Sequence, residues 1–155
     1  MTGRDRQKRK LISINVSEET GTRKRPVDSA VMVTDHGIEG DVHAGSPIKQ
    51  VSLLDETEIT AMEERSGVDL SPGDFAENLT TQGVDHDGIG LGDRLFIGDE
   101  VELEVSQIGK SCHDDCIVKA KTGECIMPQK GLFLRVLSGG SISPGDEIAF
   151  APEEE

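Results

Sequence analysis

Apolar and polar residues alternate along much of the chain, and the alternation predicts short strands. Over residues 10–16, Ile12, Ile14 and Val16 oppose Leu11, Ser13 and Asn15, the period-2 pattern of a strand with one buried face. Residues 27–34 hold Val27, Ala30, Val31, Met32 and Val33, β-branched enough for a second strand, with Gly37 and Gly40 as punctuation after it. Between the two, residues 18–26 carry Gly21, Thr22 and a basic triplet ahead of Pro26, and read as a loop or hairpin tip. Residues 95–97 and 101–108 flank the hairpin signal Gly98-Asp99, and Val101, Leu103 and Val105 alternate cleanly with Glu102, Glu104 and Ser106. Residues 133–137 and 147–150 are strand-like around Gly139-Gly140 and Pro144-Gly145-Asp146. One helix stands out, over 55–65: Asp55 caps its first turn, Glu58 stands where a capping box needs it, Ile59 and Met62 share a face, and Gly67 supplies the stop. Ser71-Pro72-Gly73-Asp74 is turn chemistry, and the pattern assigns nothing to residues 75–81. Many short strands joined by glycine-rich turns imply an antiparallel barrel or sandwich.

A length of 155 residues suits one domain, with residues 1–10 as a flexible basic arm, 11–150 as the folded unit and 151–155 as an acidic tail. Sixteen basic against 30 acidic residues give a formal charge of −14, which repels phosphate backbones and anionic lipid heads. With four Phe and no Trp or Tyr, the chain also lacks stacking platforms for bases, so nucleic acid is not an expected partner. Nor is a membrane, because no apolar run has the length of a signal peptide or spanning helix; the expected location is cytoplasmic. The three cysteines, Cys112, Cys116 and Cys125, are odd in number and close together, as reactive or metal-binding thiols are, and a disulfide framework is not expected.

The polar segment Gly109 to Cys116 follows a predicted strand, so its thiols belong at a strand end or loop. A thiol reacts as its thiolate, which Lys110 and His113 favour and Asp114 and Asp115 oppose. Cys112, His113, Cys116 and Cys125 also make up a Cys₃His zinc set, although adjacent Cys112 and His113 point apart in most backbones. In the turn-like Gly40-Asp41-Val42-His43-Ala44-Gly45, Asp41 and His43 lie two residues apart, and on an extended chain they face the same side as an acid/base or orienting pair. Glu77 and Asn78 add a carboxylate and an amide. Arg23, Lys24, Arg25 and Lys49 are cations in an acidic protein, either a local anion site or solvated charge.

Taken in order, these segments resemble the MOSC family, the domain at the carboxyl end of molybdenum cofactor sulfurases that also occurs as small free-standing prokaryotic proteins. The resemblance runs from Leu11 to Phe150 through Gly21-Thr22, Pro26-Val27, residues 37–45, residues 50–54, residues 77–81, Leu91-Gly92-Asp93, Ile97-Gly98-Asp99, Gly109-Lys110, residues 122–128 and Gly131-Leu132-Phe133. It implies a mainly β fold, a closed barrel of the pyruvate-kinase type with a few short helices, in which Gly98-Asp99 is a tight barrel corner. It further implies a cleft with an essential cysteine that carries sulfur as a persulfide to a molybdenum centre or ligates molybdenum. Cys116, followed by Ile117 and Val118, best matches that thiol, and Cys112 comes second. Asp41, His43, Glu77 and Asn78 would line the cleft, with Lys49, Lys110, Arg23 and Lys24 toward an anionic cofactor. Lys49 stands where the family often has arginine, keeping the charge but losing the two-pronged grip.

The expected function is therefore a sulfur carrier or sulfurtransferase of molybdenum cofactor metabolism. The chain is too short for the pyridoxal-phosphate desulfurase domain of full-length sulfurases, so no pyridoxal phosphate site is expected and a separate cysteine desulfurase would be the donor. A molybdoenzyme or cofactor-biosynthesis protein would be the acceptor. The alternatives are a non-catalytic module that binds molybdate or molybdopterin, and a structural zinc domain.

Overall fold

The cleanest alternation in the sequence has the expected result: Val101, Leu103 and Val105 are buried, while Glu102, Glu104 and Ser106 remain partly exposed. The computed structural model describes residues 9–17, 25–42, 44–46, 50–70, 77–84, 89–98, 100–108 and 131–150. Within them the order is β1 (Lys10–Val16), β2 (Arg25–Val27), β3 (Ala30–Val33), β4 (Gly37–Ile38), β5 (Val51–Asp55), α1 (Glu56–Ser66), β6 (Leu79–Gln82), β7 (Arg94–Ile97), β8 (Val101–Ile108), β9 (Leu132–Ser138), β10 (Gly140–Ile142) and β11 (Ile148–Phe150). The protein is mainly β, and α1 is the one helix among the described residues.

Eight strands form one sheet in the order β11-β7-β8-β9-β5-β6-β1-β2, and β10-β3-β4 form a smaller one. The segment expected to be a single strand at 27–34 is broken at Asp28-Ser29 into β2 and β3, which join different sheets. Pro26 lies inside β2, where an edge position makes its missing N–H tolerable. β7 and β8 pair antiparallel from Arg94–Glu104 to Ile97–Val101, so Gly98, at φ 61°, lies in the connection of a hairpin. Among the described residues no sheet closes into a barrel. An isolated Lys10–Glu147 bridge brings the start of β1 against the approach to β11, supported by backbone bonds from Leu11 to Asp146 and from Ile148 to Arg9, both 2.9 Å.

Two further features depart from the sequence expectation. First, β5 and β6 run parallel, Leu53 opposite Leu79, with α1 in the connection between them, so the sheet is not purely antiparallel. All five residues of β5 are buried, which is why its run VSLLD shows no alternation. Second, β1 does not have one dry face and one wet face. Its ladder with β6 shifts register between Leu11 and Ser13, and Ser13, Ile14 and Asn15 are buried in succession.

The main core gathers Leu11, Ile14, Leu53, Leu79, Leu103 and Leu134 with their neighbours from the two sheets, and a second cluster of Leu54, Ile59, Met62, Leu70 and Phe133 seats α1. The helix ends as its sequence dictates: Asp55 accepts from the Thr57 N–H at its start, and Gly67 takes the left-handed conformation at its end. No helix among the described residues is long and apolar enough to cross a membrane.

Asp55 does more than cap. Its Oδ1 accepts from the Thr81 hydroxyl at 2.7 Å and the Val84 N–H at 2.9 Å, tying α1 to β6. Asp55→Ala should therefore cost about 2–4 kcal/mol, a cap of roughly 0.5–2 plus buried donors left unpaired, whereas Asp55→Asn retains the cap and loses less. Urea midpoints of the two variants check this, and equal midpoints would show that the cap contributes nothing measurable.

Candidate functional site

Asp41, Glu77 and Asn78, chosen from two distant stretches of sequence, are joined by the carboxyl end of β1. Asp41 is buried and its Oδ1 accepts from the Ser17 N–H at 3.0 Å, while the Val42 N–H donates to the Ser17 carbonyl at 2.8 Å. Two residues earlier, the Asn15 N–H donates to the Asn78 carbonyl at 2.7 Å, and the Asn78 side-chain amide returns a bond to the Asn15 carbonyl at 3.0 Å. The turn that carries Asp41 and the segment leading into β6 are thus held by Ser17 and Asn15 respectively.

Glu77 and Asn78 have no solvent exposure. Asn78 Oδ1 accepts from the Ser52 N–H at 3.0 Å and the Ser52 hydroxyl at 3.3 Å, which fastens the approach to β6 onto β5. The Glu77 carboxylate accepts from the Thr80 hydroxyl at 2.7 Å. Asn15 reaches the same residue from β1, its side-chain amide donating to the Glu77 carbonyl at 3.2 Å and to Thr80 Oγ1 at 3.0 Å. Because β5 and β6 are parallel and β1 is antiparallel to β6, the approaches to β5 and β6 and the exit from β1 meet at one end of the sheet.

The Asp41 turn is shaped by backbone bonds. Asp41 N–H returns to the Ile38 carbonyl and Ala44 N–H to the Asp41 carbonyl, each at 3.1 Å, while His43, the other half of the expected pair, lies outside the described residues. Gly37 makes this possible. At φ 129° its backbone lies so close to the next segment that a Cβ would stand 2.8 Å from the Gln50 carbonyl oxygen and 3.3 Å from the Ala44 Cα.

A second polar group braces the turn before it. Asp35, at φ 56°, accepts at Oδ1 from the Gln50 side-chain amide at 3.2 Å and from Arg135 Nε at 2.9 Å. Gln50 Oε1 in turn accepts from the Val136 N–H at 3.0 Å, linking β5 to β9. The Gln50 hydrogen bond, then the hydrogen bond and charge of Arg135, hold the Asp35 carboxyl below its ordinary value of 3.8.

Arg23, Lys24, His43, Lys49 and Lys110 lie outside the described residues, as do Cys112, His113, Cys116 and Cys125. Arg25, the third residue of the basic triplet, is exposed on β2. Among the described residues no group of three His, Cys, Asp or Glu side chains is arranged to hold a metal ion. What sequence reading missed is the set of neutral residues, Ser13, Asn15, Ser17, Ser52 and Thr80, that organise the carboxylates. One signal was available: Asn15 sits among β-branched residues in a strand, where asparagine is depleted unless its amide has partners.

The family model described as MOSC domain matches residues 40–149. An uncharacterized protein, YflK of Bacillus subtilis, is 34% identical over 140 residues, covering 84% of this chain and 62% of its own length, so the chain spans less than two-thirds of that relative. Among solved structures, the YuaD protein of Bacillus subtilis superposes with a TM-score of 0.76 at 17% identity, covering 91% of this chain and 94% of that one. YiiM of Geobacillus stearothermophilus gives 0.72 at 25% identity, with 92% and 75% coverage. YiiM of Escherichia coli gives 0.69 at 18% identity, with 95% and 71% coverage.

Two outcomes test the geometry. Gly37→Ala should lower stability by about 2–4 kcal/mol, from overpacking and a positive φ, and a denaturant midpoint unchanged from wild type would contradict the close approach to Gln50. Asp35 has a depressed folded pKa, so its contribution to stability is complete above its unfolded value and fades as pH falls through the folded one. The stability difference between wild type and Asp35→Asn, a residue that tolerates the left-handed backbone, should accordingly be constant near neutrality and shrink below about pH 4.

Proposed function

Because the chain belongs to the MOSC family, we propose that it is a sulfur carrier of molybdenum cofactor metabolism, with Cys116 as the carrying thiol and Cys112 as the second candidate. The family is associated with molybdenum cofactor sulfurase function. The observation that supports the reading is that Asp41 is bonded to Ser17 and Asn78 to Asn15: two family landmarks far apart in sequence are tied to the end of β1, and we read them as one polar wall.

In the loading step the Cys116 thiolate attacks the outer sulfur of a donor persulfide. One sulfur–sulfur bond forms on Cys116 as another breaks at the donor, whose cysteine leaves as a thiolate, with no net oxidation. The donor is a separate cysteine desulfurase. For unloading, a thiol reductant attacks the inner sulfur, forming a mixed disulfide and releasing the outer sulfur as hydrosulfide; a second equivalent of thiol then frees Cys116 and leaves as the reductant's disulfide. Exchange of that hydrosulfide, with one proton, for an oxo group on the acceptor's molybdenum, which is substrate here, releases water. Asp41, His43, Glu77 and Asn78 orient the pterin or move protons at this wall, and Lys49, Lys110, Arg23 and Lys24 balance its anionic groups. The acceptor is a molybdoenzyme or a cofactor-biosynthesis protein, in the cytoplasm.

Cyanide should release sulfur as thiocyanate from protein purified from its own cells. The release should be lost in Cys116→Ser and kept in Cys125→Ser. Equal release from both variants removes Cys116 from the role. Stoichiometric molybdenum and pterin fluorescence without labile sulfur would replace the carrier reading with that of a binding module.

A further inference from the structure

We infer that Thr80 and Asn15 are positioning residues for Glu77, the last two side chains of a one-way hydrogen-bond chain, Ser13 to Asn15 to Thr80, that delivers a hydroxyl proton to the Glu77 carboxylate. The direction follows from which groups can only accept. The Glu77 backbone carbonyl has no proton to give, so the side-chain nitrogen of Asn15, not its oxygen, faces it at 3.2 Å. The same nitrogen lies 3.0 Å from Thr80 Oγ1, so that oxygen accepts. The single Thr80 proton is then left for Glu77 Oε2 at 2.7 Å, a short bond of the charge-assisted kind. At the other end, Asn15 Oδ1 can only accept, so the Ser13 hydroxyl at 2.7 Å donates to it.

Every link is out of water. Ser13 is 8% exposed, Thr80 1%, and Asn15 and Glu77 0%. In such surroundings aligned hydrogen bonds polarise one another; burial works against a charged carboxylate, and a hydroxyl donated to it works in its favour. The links of the chain and its neighbour on β5, Ser13, Asn15, Thr80 and Ser52, are themselves uncharged. Asp41, on the Ser17 N–H, is the other carboxylate tied to this end of β1. The chain thus holds the Glu77 carboxylate in one orientation, and loss of its terminal donor shifts the balance toward the protonated acid.

The inference rests on the sulfur-carrier reading only for its functional arm. The first arm follows the Glu77 carboxyl carbon through a pH titration by carbon-13 NMR in the full-length protein. Thr80→Val, nearly isosteric but without a hydroxyl, should move the titration midpoint upward, and Thr80→Ser should restore it. A folded Thr80→Val variant that titrates like wild type overturns the proposal. Should that variant not fold, wild type itself decides: the Thr80 hydroxyl proton should exchange slowly and show a nuclear Overhauser contact to the Asn15 side-chain amide, and a rapidly exchanging proton overturns the chain. The second arm measures the pH profile of persulfide loading, using a low-molecular-weight persulfide as donor. Its acid limb should move with the Glu77 titration in Thr80→Val. A titration that moves while loading does not supports the chain and instead removes Glu77 from the sulfur-transfer chemistry.

Discussion

Asn15 has no contact with water and carries four hydrogen-bonding groups, and the candidate site follows from how they are satisfied. An unpaired polar atom in a buried strand costs on the order of 1–3 kcal/mol, so an asparagine survives there only if every group finds a partner. Its N–H and carbonyl are taken by Asn78, its side-chain oxygen by Ser13, and its side-chain nitrogen by Glu77 and Thr80. Satisfying one residue therefore fixes the position of the segment before β6, the orientation of its carboxylate and, through Ser52, its attachment to β5. Ser17, two residues on, does the same for the Asp41 turn.

Much of the scaffold was legible from the pattern of side chains. β7, β8 and α1 lie close to where periodicity and capping residues placed them, because each has one buried face and local signals at its ends, and β9, whose Leu132 to Leu134 are all buried, lies where its apolar run placed it. Two of the departures share a cause. β5 is buried on both sides and β1 is buried across a register shift, and a period-2 pattern carries information only where one face meets water. The break between β2 and β3 at Asp28-Ser29 is a tertiary choice between two sheets, which no local propensity records.

The candidate site was legible in a different way. Asp41 entered through its spacing from His43 and Glu77 and Asn78 through their chemistry, but only resemblance to a family assigned them to one cleft, since nothing in the sequence says that residues 41 and 77 are both tied to the end of β1. The neutral residues that place them were invisible for the same reason that makes them effective: serine, threonine and asparagine are unremarkable until burial turns each hydroxyl or amide into an obligatory link. Asp35 and Gln50 show the same logic at the neighbouring turn, where one carboxylate ties β5, β9 and the β3–β4 connection together.

The bond from Asn78 to the Asn15 carbonyl spans 63 positions of chain, and it depends on a parallel pair whose strands are separated by a helix. Such contacts raise the contact order: the entropy of closing a long loop is lost before the contact can reward it. Local hairpins such as β7–β8 face no such delay. The polar wall is then a late product of folding rather than a seed for it, and its hydrogen bonds register whether the whole sheet has come together.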